Sequence, residues 1–106
     1  MLNGPTRSTP QADRYCLRLF VAGTAPRSVR AMESLRRICE THMAGRYELE
    51  VIDIYQQPDL ADRDGILAAP TLLKVSPHPE RRISGDLLDE GRILRGLQIE
   101  PAAETQ

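Results

Sequence analysis

The chain has 106 residues, of which 41% are hydrophobic and 4% aromatic, and its formal net charge at pH 7 is -1. This length predicts one domain, and the near-neutral charge argues against long-range attraction to nucleic acid or anionic membranes. No apolar run approaches the roughly 18 residues of a membrane-spanning helix, and no secretory leader pattern is visible. We therefore expect a cytoplasmic protein with reduced thiols.

The two ends of the chain differ in composition from its middle. Residues 1–14 are polar and rich in Pro, Ser and Thr, which predicts a flexible N-terminal tail. Residues 100–106 predict a flexible C-terminal tail for the same reason. The folded domain is therefore expected over residues 15–99.

The first half of that domain has the pattern of a strand, a helix and a strand. Residues 15–22 alternate between two faces and predict a strand. A helix is expected from an N-cap at Thr24 to about Ala44, and residues 47–54 predict the second strand. Such a unit pairs its strands in parallel. The helix should bury an apolar stripe of Met32, Leu35, Ile38, Cys39 and Met43, and should expose Arg27, Arg30, Arg36 and Arg37.

The second half has weaker signals. Residues 58–64 predict a short acidic helix, and residues 71–75 and 81–84 predict two strands. Gly85-Asp86 is the expected start of a last helix that ends at Gly96. The order βαβ-α-ββ-α predicts an α/β, thioredoxin-like fold. Pro70 precedes the third strand, where an X-Pro bond can take the cis form.

Cysteine placement tests whether this fold is used for redox chemistry. A redox thiol would lie at the start of the first helix, where backbone N–H groups stabilise a thiolate. Residues 23–28 contain no cysteine, and Cys16 and Cys39 are expected to be small core hydrophobes. His42 and His78 lack ligand spacing, so we expect no metal, cofactor or catalytic residue. A thioredoxin-fold redox or glutathione-binding protein stays the alternative.

Three stretches resemble one protein family. The runs LRLFVAGTAPRSVRAMESL, EVIDIYQQPDLADRDGILAAPTLLKV and RRISGDL are similar to the beginning, middle and end of KaiB, a family of small bacterial circadian-clock proteins. The likeness covers about residues 15–99. Departures from the family pattern, such as Glu50 in place of a lysine and His78 inside a proline run, suggest a divergent or non-cyanobacterial member.

The resemblance implies a metamorphic, non-enzymatic regulator. KaiB proteins have a ground-state fold, usually a tetramer, with a rearranged C-terminal half, and a rare thioredoxin-like monomer that binds a KaiC-type hexameric ATPase. This chain would accordingly serve a circadian clock or a simpler timer, with a dimer or tetramer as its ground state. KaiA or a histidine kinase would be a further partner, and neither nucleic acid nor membrane is expected. An interaction module like a kinase sensor domain is a second alternative.

The resemblance also assigns roles to single residues. The basic residues of the family's partner interface correspond to Arg30, Lys74 and Arg81. The proline of the fold switch corresponds to Pro70, and the glycine that sets the balance of the two folds corresponds to Gly96. Gln98 replaces a family aspartate, which points to a changed fold balance, with a lean toward the thioredoxin-like form.

Overall fold

A four-stranded mixed sheet organises the protein, which is described by a computed structural model over residues 14–85 and 87–99. The strand order is β2-β1-β3-β4; β1 is parallel to β2 and antiparallel to β3, and β3 is antiparallel to β4. This arrangement confirms the predicted thioredoxin-like fold. The elements are β1 (Tyr15–Val21), α1 (Pro26–His42), β2 (Tyr47–Asp53), α2 (Pro58–Arg63), β3 (Thr71–Ser76), β4 (Arg81–Ser84) and α3 (Glu90–Leu97).

The two faces of the sheet bury unequal cores. Because side chains alternate along a strand, β1 sends one set of residues toward α1 and α3 and the other toward α2. The larger cluster joins Leu17, Leu19 and Leu72 to apolar residues of α1 and α3. The smaller cluster, on the α2 side, centres on Phe20 and Leu73. The predicted alternation of β1 is thus confirmed.

The α2 side depends more on polar contacts. Arg18 of β1 forms an ion pair of 3.0 Å with Asp64, which follows α2. Arg82 of β4 donates hydrogen bonds to the backbone carbonyls of Asp64 (2.8 Å) and Gly65 (3.2 Å). Two arginines of the sheet therefore fix the end of the short helix α2, which itself buries only Ala61.

Helix α1 matches the predicted apolar stripe, with a corrected start. Its N-cap is Ala25 rather than Thr24, Pro26 occupies the first turn, and no side chain caps the helix. Proline fits there because the first helical N–H groups have no partner within the helix. The helix ends at His42, one turn before Gly45, which has a φ of +75°.

The predicted bounds of the last helix are wrong at both ends. The helix begins at Glu90, because Asp89 provides the N-cap by accepting a hydrogen bond of 3.1 Å from the Arg92 N–H. Gly96 lies inside the helix, and the stop comes at Gln98, which is left-handed with a φ of +58°. The predicted start is wrong because Asp89, a second residue able to cap a helix, lies only three residues after Asp86.

The predicted tails, 1–14 and 100–106, lie outside the described residues except for Arg14. Within the part of the chain that is described, no helix has both the length and the apolar character to cross a membrane.

Candidate interaction site

The loop that starts α1 is where a redox thiol would be expected, and side chains of the fold fix it instead. Ser28 accepts a hydrogen bond of 3.0 Å from the Ala22 N–H and is buried. Asp53, at the end of β2, accepts from the N–H groups of Gly23 (3.2 Å) and Tyr55 (2.9 Å). The loop is therefore held by structural hydrogen bonds, and its one buried hydroxyl is engaged in them.

The two cysteines lie on opposite faces of the sheet and away from the start of α1. Cys39 is fully buried, and burial, followed by the nearby charge of Glu40, raises the pKa of its thiol to about 12. A thiol with so high a pKa is protonated, and therefore a poor nucleophile, at neutral pH. Cys16 faces the other side of the sheet, where its Sγ lies 3.9 Å from Glu48 Oε1. It is half-buried, so its assignment to the core was wrong.

The described residues contain no metal-binding group of three or more His, Cys, Asp or Glu side chains. His42, at the end of α1, instead has its Nε2 in hydrogen-bonding contact with the Glu90 carboxylate at the start of α3. His78 is exposed in the turn between β3 and β4.

An open groove lies beside the first turns of α1. It has a volume of about 180 Å³ and is lined by Arg27, Arg30, Ala31, Pro70, Gly85, Leu87 and Leu88. The groove joins three segments that are distant in the chain: α1, the Ala69–Pro70 turn with its cis peptide bond, and the loop between β4 and α3. Arg30 and Pro70 were predicted as separate site residues, and the fold places both of them in this groove. We call this feature the Arg27–Leu88 groove.

The three predicted partner-binding residues are not gathered in one place. Arg30 is exposed in the Arg27–Leu88 groove. Arg81 is exposed at the start of β4, four residues before Gly85, which corresponds to about 13 Å along a strand. Lys74 is opposite Arg81 in the β3–β4 register and is only 1% exposed. Their role in binding a partner stays a prediction.

Lys74 lies in an apolar environment. Its side chain is on the face of β3 that carries Leu72, and its other register neighbour is Leu17. No carboxylate of the described residues forms an ion pair with it. Burial, and then the positive charge of Arg81, lowers the pKa of its ammonium group below the usual 10.5.

The predicted switch residues all occupy positions with limited freedom in this fold. Pro70 is buried in the groove wall. A methyl group added to Gly96 would lie 2.5 Å from Ile83 Cδ1, so the absence of a side chain allows α3 to pack closely on β4. Gln98 has a left-handed backbone, which favours glycine. These positions constrain this packing; their part in a fold switch is untested.

Comparisons with known proteins agree with the geometry. The chain is 54% identical over 85 residues to the circadian clock oscillator protein KaiB of Synechococcus sp. (strain RCC307), covering 80% of this chain and 77% of that relative. The solution structure of the N-terminal domain of Synechococcus elongatus SasA matches with a TM-score of 0.70 at 24% identity. The match covers 96% of this chain and all of that one. The germline-specific thioredoxin Deadhead of Drosophila melanogaster has a TM-score of 0.65 at 14% identity, and the match covers 78% of this chain and 77% of that one.

The two structural likenesses are below 25% identity and establish the fold alone. The KaiB domain profile, in contrast, matches residues 18–99, which include the Arg27–Leu88 groove, Lys74 and α3. The sequence resemblance is thereby confirmed: the chain belongs to the KaiB family.

Proposed function

We propose that this protein is a cytoplasmic, non-enzymatic regulator that binds a KaiC-type hexameric ATPase in a circadian clock or a simpler timer. The observation that carries the proposal is a family match over residues 18–99 on a thioredoxin-like fold whose α1 start has no cysteine. A fold of this type without its thiol still offers exposed surfaces for a partner. Binding is therefore the use that the geometry supports best.

The redox alternative is disfavoured by the chemistry of the two thiols. Cys39 is buried with a raised pKa, and Cys16 lies on the opposite face of the sheet, so they cannot act as a pair on one substrate. A glutathione-binding role would need no thiol of the protein, and the Arg27–Leu88 groove has charge suited to a small carboxylate. We favour the protein partner because the KaiB relatives are clock oscillator proteins.

Arg30 and Arg81 are the proposed contact residues because both are exposed and positively charged. An arginine fork pairs well with carboxylates at an interface. Lys74 is buried in this packing, so its predicted part in partner binding would need a change of packing. Its proposed contribution is therefore to the balance between folds, or to a form of the protein in which β3 repacks.

Fold switching gives the proposal its mechanism. Two packings of one sequence interconvert only if their free energies differ by a few kcal/mol. A partner that binds only the thioredoxin-like packing would pull the population toward it. Pro70, Gly96 and Gln98 are the proposed switch residues. The ground state would be a dimer or tetramer, and KaiA or a histidine kinase would act on the bound form.

The experiment is a binding titration of the full chain against the KaiC-type ATPase of the same host, assembled as a hexamer with ATP. We expect a stable complex by size-exclusion chromatography that forms slowly, since only the competent fraction of the protein binds at first. An insulin-reduction assay with the reduced protein runs in parallel. Turnover there, without any complex, would overturn the proposal in favour of an oxidoreductase.

A further inference from the structure

Lys74 is the one charged side chain that is buried among the residues that the structure describes. It is 1% exposed, and neither an ion pair nor a side-chain hydrogen bond joins it to another described residue. Burying an ammonium group without a partner costs free energy. Lys74 is also the only lysine of the sequence. Its amine is therefore a reactive group that the packing of this fold does not use.

The neighbours of Lys74 in the sheet favour the neutral amine. In register, Leu17 of β1 lies on one side of Lys74 and Arg81 of β4 lies on the other. Burial, and then the charge of Arg81, lowers the pKa of the Lys74 ammonium group, which increases the fraction of neutral amine near neutral pH. A lysine amine that is desolvated or placed beside a second cation becomes a nucleophile toward carbonyl carbon. The pair Lys74 and Arg81 combines both conditions.

Burial restricts the electrophile to a small and uncharged one. Lys74 does not line the Arg27–Leu88 groove, so that groove gives a larger carbonyl compound no access to the amine. Carbon dioxide is small, carries no charge and brings no hydration shell that must be removed. Strand β4 is short and lies at an edge of the described sheet. Local opening of such an element costs less than opening of the core, and it gives carbon dioxide a route to the amine.

We infer that Lys74 is a carbon dioxide site, at which the amine forms a carbamate that pairs with Arg81. The amine lone pair forms a C–N bond to the carbon of carbon dioxide, a C–O π bond opens onto oxygen, and the nitrogen releases a proton to solvent. Nothing is oxidised or reduced. Opposite residues on antiparallel strands have Cβ atoms about 4.5–5.5 Å apart, so the new carboxylate lies within reach of the guanidinium group.

The modification reverses the charge at this position. The ammonium group repels Arg81, whereas the carbamate attracts it and forms a charge-assisted hydrogen bond with it. Carbon dioxide therefore stabilises the thioredoxin-like packing, in which Lys74 and Arg81 are opposite each other. This inference does not depend on the partner ATPase and can be tested on the isolated chain.

The single lysine makes the test direct. The full-length ¹⁵N-labelled protein, with its N-terminal amine acetylated, is equilibrated with ¹³C-labelled carbon dioxide and bicarbonate at constant pH. We expect a carbamate ¹³C resonance that is split by the bonded ¹⁵N of Lys74, and we expect Lys74→Met to lack it. A folded, unmodified protein without this resonance, or a resonance that persists in Lys74→Met, overturns the assignment.

The role of Arg81 is tested by a matched pair of variants. Arg81→Gln removes the proposed partner of the carbamate, and Arg37→Gln removes the same charge from an exposed position on α1. Circular dichroism checks that both variants fold. We expect the carbamate occupancy to fall at least about threefold in Arg81→Gln and to stay unchanged in Arg37→Gln. Equal occupancy in the two variants overturns the pairing with Arg81.

The effect on the fold is measured by denaturation with and without dissolved carbon dioxide, at constant pH and ionic strength. We expect carbon dioxide to raise the midpoint of the unmodified protein, because it binds the folded state, and to leave that of Lys74→Met unchanged. Equal shifts in the two proteins would mean that bicarbonate acts as a general stabilising salt, and they would overturn the proposed stabilisation.

Discussion

The two halves of this domain differ in how well the thioredoxin-like packing suits their polar groups and backbone conformations. In the first half, from β1 to β2, the buried Ser28 and the half-buried Asp53 accept backbone hydrogen bonds, and the positive φ angles fall on glycines. In the second half, Lys74 is buried and forms no ion pair with a carboxylate of the described residues, Gly96 has no room for a side chain unless Ile83 shifts, and Gln98 is left-handed.

The buried ammonium group of Lys74 and the left-handed backbone of Gln98 oppose the packing in which they occur, whereas Gly96 permits it by having no side chain. Burying a charge without a partner is costly, and a residue other than glycine in the left-handed region carries strain. Their concentration in one half indicates that an alternative packing would compete in the segment from β3 to α3. This location is independent of the family resemblance and agrees with the proposed fold switch.

The largest expected effect comes from removing the buried charge. Lys74→Met keeps a long unbranched side chain and deletes the ammonium group, so we expect the free energy of unfolding at pH 7 to rise by about 2 kcal/mol. Chemical denaturation monitored by circular dichroism measures this change. Arg81→Gln is the matched control, because it removes only the like charge next to Lys74 and should give a much smaller gain.

The pH dependence provides a second check on the same variant. Because the pKa of Lys74 is lowered in the folded state, its penalty is full below that pKa and disappears as the pH rises toward 10.5. The advantage of Lys74→Met should therefore shrink with rising pH. Cys39 has a raised pKa and destabilises the fold at high pH, but it does so equally in both proteins. A constant difference would show that Lys74 is solvated after all.

The backbone of Gln98 predicts the next largest effect. Gln98→Gly should stabilise the thioredoxin-like packing by about 0.5–1 kcal/mol, because glycine adopts a left-handed conformation without strain. Gln98→Ala is the control: it shortens the side chain, keeps the strain and should give no gain. Equal denaturation midpoints for the two variants would mean that the side chain, not the backbone, determines the cost at this position.

The sequence predicted most of the fold because most of it follows local rules. The alternation in β1 has the two-residue period of a strand, and the apolar stripe of α1 has the 3.6-residue period of a helix. In both elements the apolar positions face the core. The start of α3 could not be chosen from the sequence, since Gly85-Asp86 and Asp89 are both acceptable signals for a helix start. The structure selects Asp89, whose carboxylate accepts from Arg92.

Less of the candidate site than of the fold could be predicted from the sequence. Lys74 follows Leu72 and Leu73 in a strand that is apolar on both faces, so its burial could not be told from exposure. The Arg27–Leu88 groove depends on three segments that meet only after folding. Single residues such as Arg30 and Pro70 were indicated by the family resemblance, whereas the surface they share required the tertiary structure.

The smallest expected effect is at Gly96. It tests whether the close packing of α3 on β4 destabilises the second half of the domain. Gly96→Ala improves the helix by about 1 kcal/mol, but the new methyl group would meet Ile83 Cδ1 at 2.5 Å. We expect the two terms nearly to cancel, with a net change within about 0.5 kcal/mol. In an Ile83→Val background, which lacks that Cδ1 atom but keeps Cγ1 at 3.1 Å, the same substitution should stabilise by about 0.5–1 kcal/mol.

The double-mutant cycle, measured by denaturation, isolates this contact. A coupling of about 0.5–1 kcal/mol between positions 83 and 96 would mean that α3 and β4 are pressed together at the glycine. Additive effects would mean that α3 moves away at little cost, and the second half would then owe its strain to Lys74 and Gln98 alone. NMR peak populations of Gly96→Ala would follow the same sign, since a substitution shifts the balance of two folds only by its differential effect on them.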